Sequence, residues 1–118
     1  MATAPTAQQV TSLMEGVVAT GTAAGVGFPG YLCAAVKTGT AQTNPITGLT
    51  DTWMIGFAPA NHPQVAVAVV VPQQANSSDG ASVAGPIMNK VLQAAVPQSS
   101  VSQPCHVQPV PTSTFTGT

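Results

Sequence analysis

From Gln64 to Val71 the chain alternates valine with alanine and then closes on three valines, Val69-Val70-Val71. β-branched residues at this density suit a pleated strand. Fully burying each valine contributes roughly 1.5–3 kcal/mol. The stretch is therefore expected at the centre of a sheet, or at least under cover along one whole face. Just before it, Pro59-Ala60-Asn61-His62-Pro63 reads as a tight turn, since two prolines bracket an asparagine. Trp53-Met54-Ile55-Gly56-Phe57-Ala58 is then a second strand, joined to the valine run as an antiparallel hairpin. A further strand is expected from Tyr31 to about Gln42, and its apolar half, Tyr31 to Val36, is continuous, as for a strand covered on both faces. Thr43 to Thr52, with Pro45 and Gly48, reads as a polar connection. Pro72 to Asp79 reads as a polar loop.

Two helices frame these strands. Thr6 is placed to cap the first, with Gln9 three residues on to reach back. Val10, Leu13, Met14, Val17 and Val18 then make one apolar stripe, with Glu15 on the polar side. The glycine-rich stretch from Gly21 to Gly30 follows as a loop. The second helix is expected from about Gly80 to Val96, with Asp79 at its positive end and a stripe of Val83, Ile87, Met88, Val91, Leu92 and Ala95. Pro86 either belongs to its first turn, with the helix starting near Gly85, or interrupts it. From Gln98 the composition turns to proline, serine and threonine without a period, so residues 98–118 read as a disordered tail after a unit spanning 1–97. The class is α+β: an antiparallel sheet of at least three strands with helices packed on it. Such a sheet is thin. Its apolar strands would keep exposed edges and an uncovered face, and something further should complete it.

At 118 residues the chain forms one domain at most. Lys37 and Lys90 are its only cationic chains, with no arginine, so it has nothing to neutralise a row of phosphates or to hold a basic membrane contact. Nucleic acid is excluded as a partner. No run of 18 apolar residues exists, and Met1 to Pro5 lacks the features of a signal peptide. Cys33, in an apolar run, reads as a small core residue, with a bridge to Cys105 as the minor alternative. Cys105-His106 has no second ligand pair at metal spacing, so neither a metal nor another cofactor is expected.

The chemistry concentrates at Lys37-Thr38-Gly39-Thr40-Ala41-Gln42. A lysine beside two hydroxyls and a glycine, at the end of a strand, can receive an anion. Alternation puts Thr38 and Thr40 on one face and Lys37 on the other. Gly39 leaves room for another backbone to come close. Trp53 reads as packing, His62 as an exposed turn residue, Lys90 as a solvated helix residue and Asp51 as a cap for the loop before Trp53.

Lys37-Thr38-Gly39-Thr40-Ala41-Gln42, followed by Trp53-Met54-Ile55-Gly56-Phe57-Ala58-Pro59-Ala60, resembles the C-terminal part of a penicillin-binding protein transpeptidase domain. Within that family the pattern resembles the actinobacterial penicillin-binding protein A type. Met14 to Ala23 is similar to the helix and Gly-Thr-Ala turn before the Lys-Thr-Gly strand of that family, and Ala84 to Met88 to the start of its last helix. The likeness runs over roughly residues 5–96. It implies a partial β-lactamase/transpeptidase-like fold, an extracytoplasmic setting at the bacterial membrane, and serine acyl transfer on D-Ala-D-Ala stem peptides of peptidoglycan, with β-lactams as mimics. By resemblance, Lys37 and Thr40 are catalytic, and Thr38, Gly39 and Thr40 hold the substrate. Lys37 would tune the serine–lysine site, Thr38 and Thr40 would take the substrate carboxylate, and the Thr40 N–H would form half of an oxyanion hole. Gly39 would let substrate pair with the strand.

One departure matters. No serine here stands three before a lysine, since Ala34 and Ile87 hold those positions, and no Ser-x-Asn occurs. The chain carries the third motif alone, so it is expected to be inactive by itself and to need the remainder of the domain as partner. Two other readings remain open: a β-lactam-sensing or cell-wall-binding module without catalysis, and a truncated product without function.

Overall fold

The computed structural model describes residues 2–44, 46–75 and 77–101. Helix α1 (Ala4–Ala19) leads through two short 3-10 turns, Ala24–Val26 and Gly30–Leu32, into strands β1 (Ala35–Asn44), β2 (Leu49–Ala58) and β3 (Val65–Ala75), and then into helix α2 (Gly80–Ala95). The sheet is antiparallel in the order β1-β2-β3. The α+β expectation therefore holds, with three strands and two long helices among the described residues.

Several boundaries differ from the sequence reading. Helix α1 starts a turn early. Thr3, not Thr6, is its cap, and the Thr3 side chain accepts the Thr6 backbone N–H at 3.4 Å. Pro5 fits the first turn, where its absent N–H has no helical partner to lose. Strand β1 begins at Ala35 rather than Tyr31, because Gly30–Leu32 forms a 3-10 turn and Cys33 sits in the left-handed region at φ 47°. Cys33 is disulfide-bonded rather than a free core thiol. The other cysteine, Cys105, lies outside the described residues.

Strand β2 starts at Leu49, four residues before Trp53. The supposed polar connection hides an alternation: Thr50 and Thr52 are buried on the inner face. Their hydroxyls donate to carbonyls of β3, Thr52 to Val71 at 3.3 Å and Thr50 to Gln74 at 3.5 Å. Hydroxyls so paired can be buried at little cost. Strand β3 likewise runs past Pro72 to Ala75. The register slips between Thr50 and Thr52, so that Pro72 and Gln73 together face Asp51. Gln73 takes φ 57°, and its N–H donates to Asp51 Oδ1 at 3.0 Å. Asp51 thus pins a β-bulge rather than capping a loop. A proline without an N–H is tolerated in a strand at such a site.

β3 is not central. It forms one edge, and β2 is the middle strand. One face of β3 is covered, with Val69 buried and Val65, Val67 and Val71 half-buried against the core. That core joins Val36, Met54 and Val69 of the sheet to Ala84, Met88 and Leu92 of α2, with Leu32, Ala34 and Val96 around them. Pro86 lies inside α2, which starts at Gly80. The opposite sheet face is open over most of its length, although Ala35 on it is fully buried. Trp53 is 40 % exposed, Ile55 49 % and Val70 44 %. Val10 and Leu13 of α1 are exposed as well, and Glu15, expected on the polar side, is half-buried. Its partial burial raises the carboxyl pKa. The stripe of α1 is thus only partly used: Val17 and Val18 reach the core, and Val10 and Leu13 do not. The expected uncovered face exists. After α2, Gln98–Ser100 forms a 3-10 turn, and Val101 packs against the core. Most of the expected tail, residues 102–118, lies outside the described residues.

Asp79 caps α2. Its Oδ1 accepts the Ser82 N–H at 2.9 Å, and its Oδ2 accepts the Ser82 hydroxyl at 2.9 Å. These bonds lower its pKa, the backbone one foremost. A depressed carboxylate stabilises the fold above the ordinary aspartate pKa, and that contribution fades as pH falls through the folded value. Asp79→Ala should therefore cost about 1 kcal/mol at neutral pH. The gap between variant and parent should begin to narrow as pH falls below about 4. Paired denaturation curves at pH 7 and pH 3 would check this, and an equal gap at both would contradict it.

Candidate functional site

The outer edge of the sheet on the β1 side carries Lys37-Thr38-Gly39-Thr40. In an antiparallel pair, residues directly opposite share a face. Lys37 is opposite Ile55, and Gly39 opposite Trp53, on the open face. Thr38 is opposite Met54, and Thr40 opposite Thr52, on the α2 face. The alternation expected from sequence is therefore present, and it would separate the lysine from the two threonines. The Lys37 side chain closes that separation. It turns along the edge, and Nζ donates to the Thr38 carbonyl at 2.6 Å. Lys37 and Thr40 are exposed, while Thr38 and Gly39 are half-buried.

That contact also orients the backbone. A Thr38 carbonyl reached by an edge lysine points away from β2. Strand alternation then aims the Thr40 N–H outward along the same edge. The edge thus offers an ammonium, two hydroxyls and an outward backbone donor over four consecutive residues. It is suited to an extended, anionic ligand.

Two residues that sequence reasoning left aside support this edge. Thr22, in the turn after α1, lies with its hydroxyl 3.2 Å from the Thr38 hydroxyl. It also borders a groove of about 370 Å³ lined by Val26, Asp79, Ser82 and Pro86. Gly80, the first residue of α2, lies directly on the backbone of Gly39 and Trp53. A Cβ there would collide with the Trp53 carbonyl and come within 2.9 Å of the Gly39 carbonyl and 3.0 Å of its nitrogen. At this edge the glycine that permits a close backbone approach is thus Gly80. At Gly39 a Cβ would meet only the Trp53 Cβ, at an ordinary 3.5 Å. Contacts so distant in sequence leave no trace in local pattern, although Gly21-Thr22-Ala23 was part of the family likeness. Among the described residues, no group of three His, Cys, Asp or Glu could hold a metal, and no helix is long and apolar enough to cross a membrane.

Residues 2–93 match the penicillin binding protein transpeptidase domain. The chain belongs to that family. The peptidoglycan D,D-transpeptidase PbpA of Mycobacterium tuberculosis is 40 % identical over 94 residues, which cover 76 % of this chain and 19 % of that protein. PbpA of Mycolicibacterium smegmatis is 41 % identical over 70 residues, or 56 % of this chain and 14 % of that protein. The crystal structure of PBPA from Mycobacterium tuberculosis superposes with a TM-score of 0.57 at 36 % identity, covering 74 % of this chain and 21 % of that one. The D,D-transpeptidase domain of a peptidoglycan glycosyltransferase from Eggerthella lenta gives a TM-score of 0.56 at 32 % identity, covering 74 % and 20 %. The chain is thus a PbpA-like, C-terminal part of a penicillin-binding protein transpeptidase domain. It spans between 14 % and 21 % of the length of these relatives. The open sheet face agrees with that share.

Proposed function

We propose that this chain forms the Lys-Thr-Gly wall of a serine acyl-transfer site in a peptidoglycan D,D-transpeptidase, completed by the remainder of the domain. The observation that carries this reading is the β1 edge, where Lys37, Thr38 and Thr40 lie on a strand paired with β2 on one side and, among the described residues, with no strand on the other. An extended stem peptide ending in a carboxylate can add to such an edge as a further strand. Its terminal carboxylate meets the Thr38 and Thr40 hydroxyls. The scissile carbonyl oxygen meets the Thr40 N–H as negative charge develops on it. Gly39 keeps the open face of the strand free of a side chain beside Trp53. Lys37 swings from the Thr38 carbonyl to the serine–lysine pair that the rest of the domain brings, and its charge favours the deprotonated nucleophile.

A β-lactam carries the same carboxylate and carbonyl and acylates the same serine. The nucleophile stands outside these 118 residues, since no serine here has a lysine three positions on. The setting is the extracytoplasmic face of the membrane, where peptidoglycan is cross-linked. The test is covalent labelling by a fluorescent penicillin of a protein that joins this chain to its Ser-x-x-Lys and Ser-x-Asn segments. A labelled band is expected. A folded protein of that composition that takes no label would refute the reading.

A further inference from the structure

The Thr22–Thr38 contact joins the turn after α1 to the β1 edge, and nothing in the fold requires it. Both hydroxyls lie at the surface, and Thr22 is exposed, so the bond satisfies no buried group. It contributes little to stability for that reason. At 3.2 Å either oxygen can be the donor while the edge is empty. An anion at the edge removes that freedom. To hold a carboxylate, the Thr38 O–H must point at it, because an ionised carboxylate only accepts. The Thr38 oxygen then has no hydrogen to offer Thr22. The contact survives only with Thr22 donating to Thr38 Oγ1. The result is a directed relay, Thr22 O–H to Thr38 O–H to carboxylate, in which the first bond polarises the second. It also fixes the Thr38 rotor, so less freedom is lost when the ligand arrives.

We infer that Thr22 is a positioning residue for carboxylate recognition, acting through the Thr38 hydroxyl rather than by touching the ligand. The inference rests on the role proposed above for Thr38. It assigns to the Gly21-Thr22-Ala23 turn a part in selecting substrates and inhibitors that carry the carboxylate.

The experiment uses the complete labelled-penicillin-reactive protein and two probes, a penicillin and the same penicillin as its methyl ester. Thr22→Val should slow acylation by the free acid about five- to tenfold, the loss of one hydrogen bond. It should leave acylation by the ester nearly unchanged. Thr22→Ser, which keeps the hydroxyl, should behave as the parent. The double variant Thr22→Val/Thr38→Val should be no slower than Thr38→Val alone, because Thr22 acts only through Thr38. Equal slowing with acid and ester would make Thr22 merely structural and overturn the inference. So would unchanged acylation of Thr22→Val by the acid while Thr38→Val is impaired. Normal acylation of Thr38→Val by the acid would instead remove the carboxylate role proposed for Thr38, on which the inference stands.

Discussion

Lys37→Ala, placed in the complete transpeptidase, should slow acylation by a labelled penicillin at least about a hundredfold while leaving the fold intact. Loss of one preorganised electrostatic partner in an acyl-transfer site costs on the order of 10²–10³ in rate. The structure makes the two effects separable. Lys37 is exposed, and its described contact is with the Thr38 carbonyl of its own strand. Substitution at such a site changes stability by no more than about 0.5 kcal/mol. The thermal midpoint should therefore stay close to that of the parent. Lys37→Arg keeps the charge but exchanges a compact ammonium for a planar fork. It should recover part of the rate at most. Time-resolved labelling beside a melting curve measures both quantities, and acylation of Lys37→Ala at the parent rate would remove Lys37 from the site.

Gly80→Ala should be the most damaging single methyl in the chain, and Gly39→Ala one of the mildest. At Gly80 the new Cβ meets backbone on three sides, the Trp53 carbonyl and both the nitrogen and carbonyl of Gly39. Backbone in the middle of a sheet cannot step aside, so α2 must lift away from β1 and β2. Overpacking of that kind costs about 1–3 kcal/mol, occasionally more. The strand pair from which it lifts carries Gly39, so acylation should fall together with stability. At Gly39 the Cβ meets one Trp53 carbon at 3.5 Å. Alanine also reduces the freedom of the unfolded chain. The net change in stability should lie within about 1 kcal/mol. Chemical denaturation of the two variants compares them directly. A Gly80→Ala protein as stable as Gly39→Ala would show that α2 does not seat on the β1–β2 backbone as described.

The two glycines also mark what was readable from sequence and what was not. Period and turn chemistry sufficed for both helices, three strands and their antiparallel order, because those signals are local. The valine run set β3, and the Pro59–Pro63 turn set its hairpin with β2. The motif from Lys37 to Gln42 pointed to the β1 edge as the candidate site. The misplaced boundaries of β2 and β3 share one cause. Thr50, Thr52, Pro72 and Gln73 look like loop in isolation, and only cross-strand partners make them strand: two carbonyls of β3 for the threonines, and the Asp51 carboxylate for the bulge. The expected central place of β3 failed for a related reason. Apolar content reports that a strand is covered, not which neighbour covers it, and one covered face was enough. Gly39 was chosen for close approach because it sits in the motif, yet the approach runs through Gly80, forty-one residues on. Thr22 needed the same kind of information. Its tie to Thr38 spans sixteen positions and depends on how the turn after α1 folds back.

The open sheet face had been expected from arithmetic alone, since two helices cannot cover both sides of three apolar strands. Trp53, Ile55 and Val70 now locate it. It lies on the Lys37 side of β1, while Thr38 and Thr40 share the α2 side. The lysine therefore starts from the open face and reaches along the strand edge to the Thr38 carbonyl.

The central claim is that these residues supply the wall and another part of the domain supplies the nucleophile. It is tested by penicillin labelling followed by peptide mapping, on the 118-residue chain alone and on the protein that joins it to its Ser-x-x-Lys segment. The account predicts no label on the chain alone. In the joined protein it predicts an acyl group on a serine outside residues 1–118, formed at a rate that depends on Lys37. A penicilloyl group on any serine within these 118 residues would contradict it.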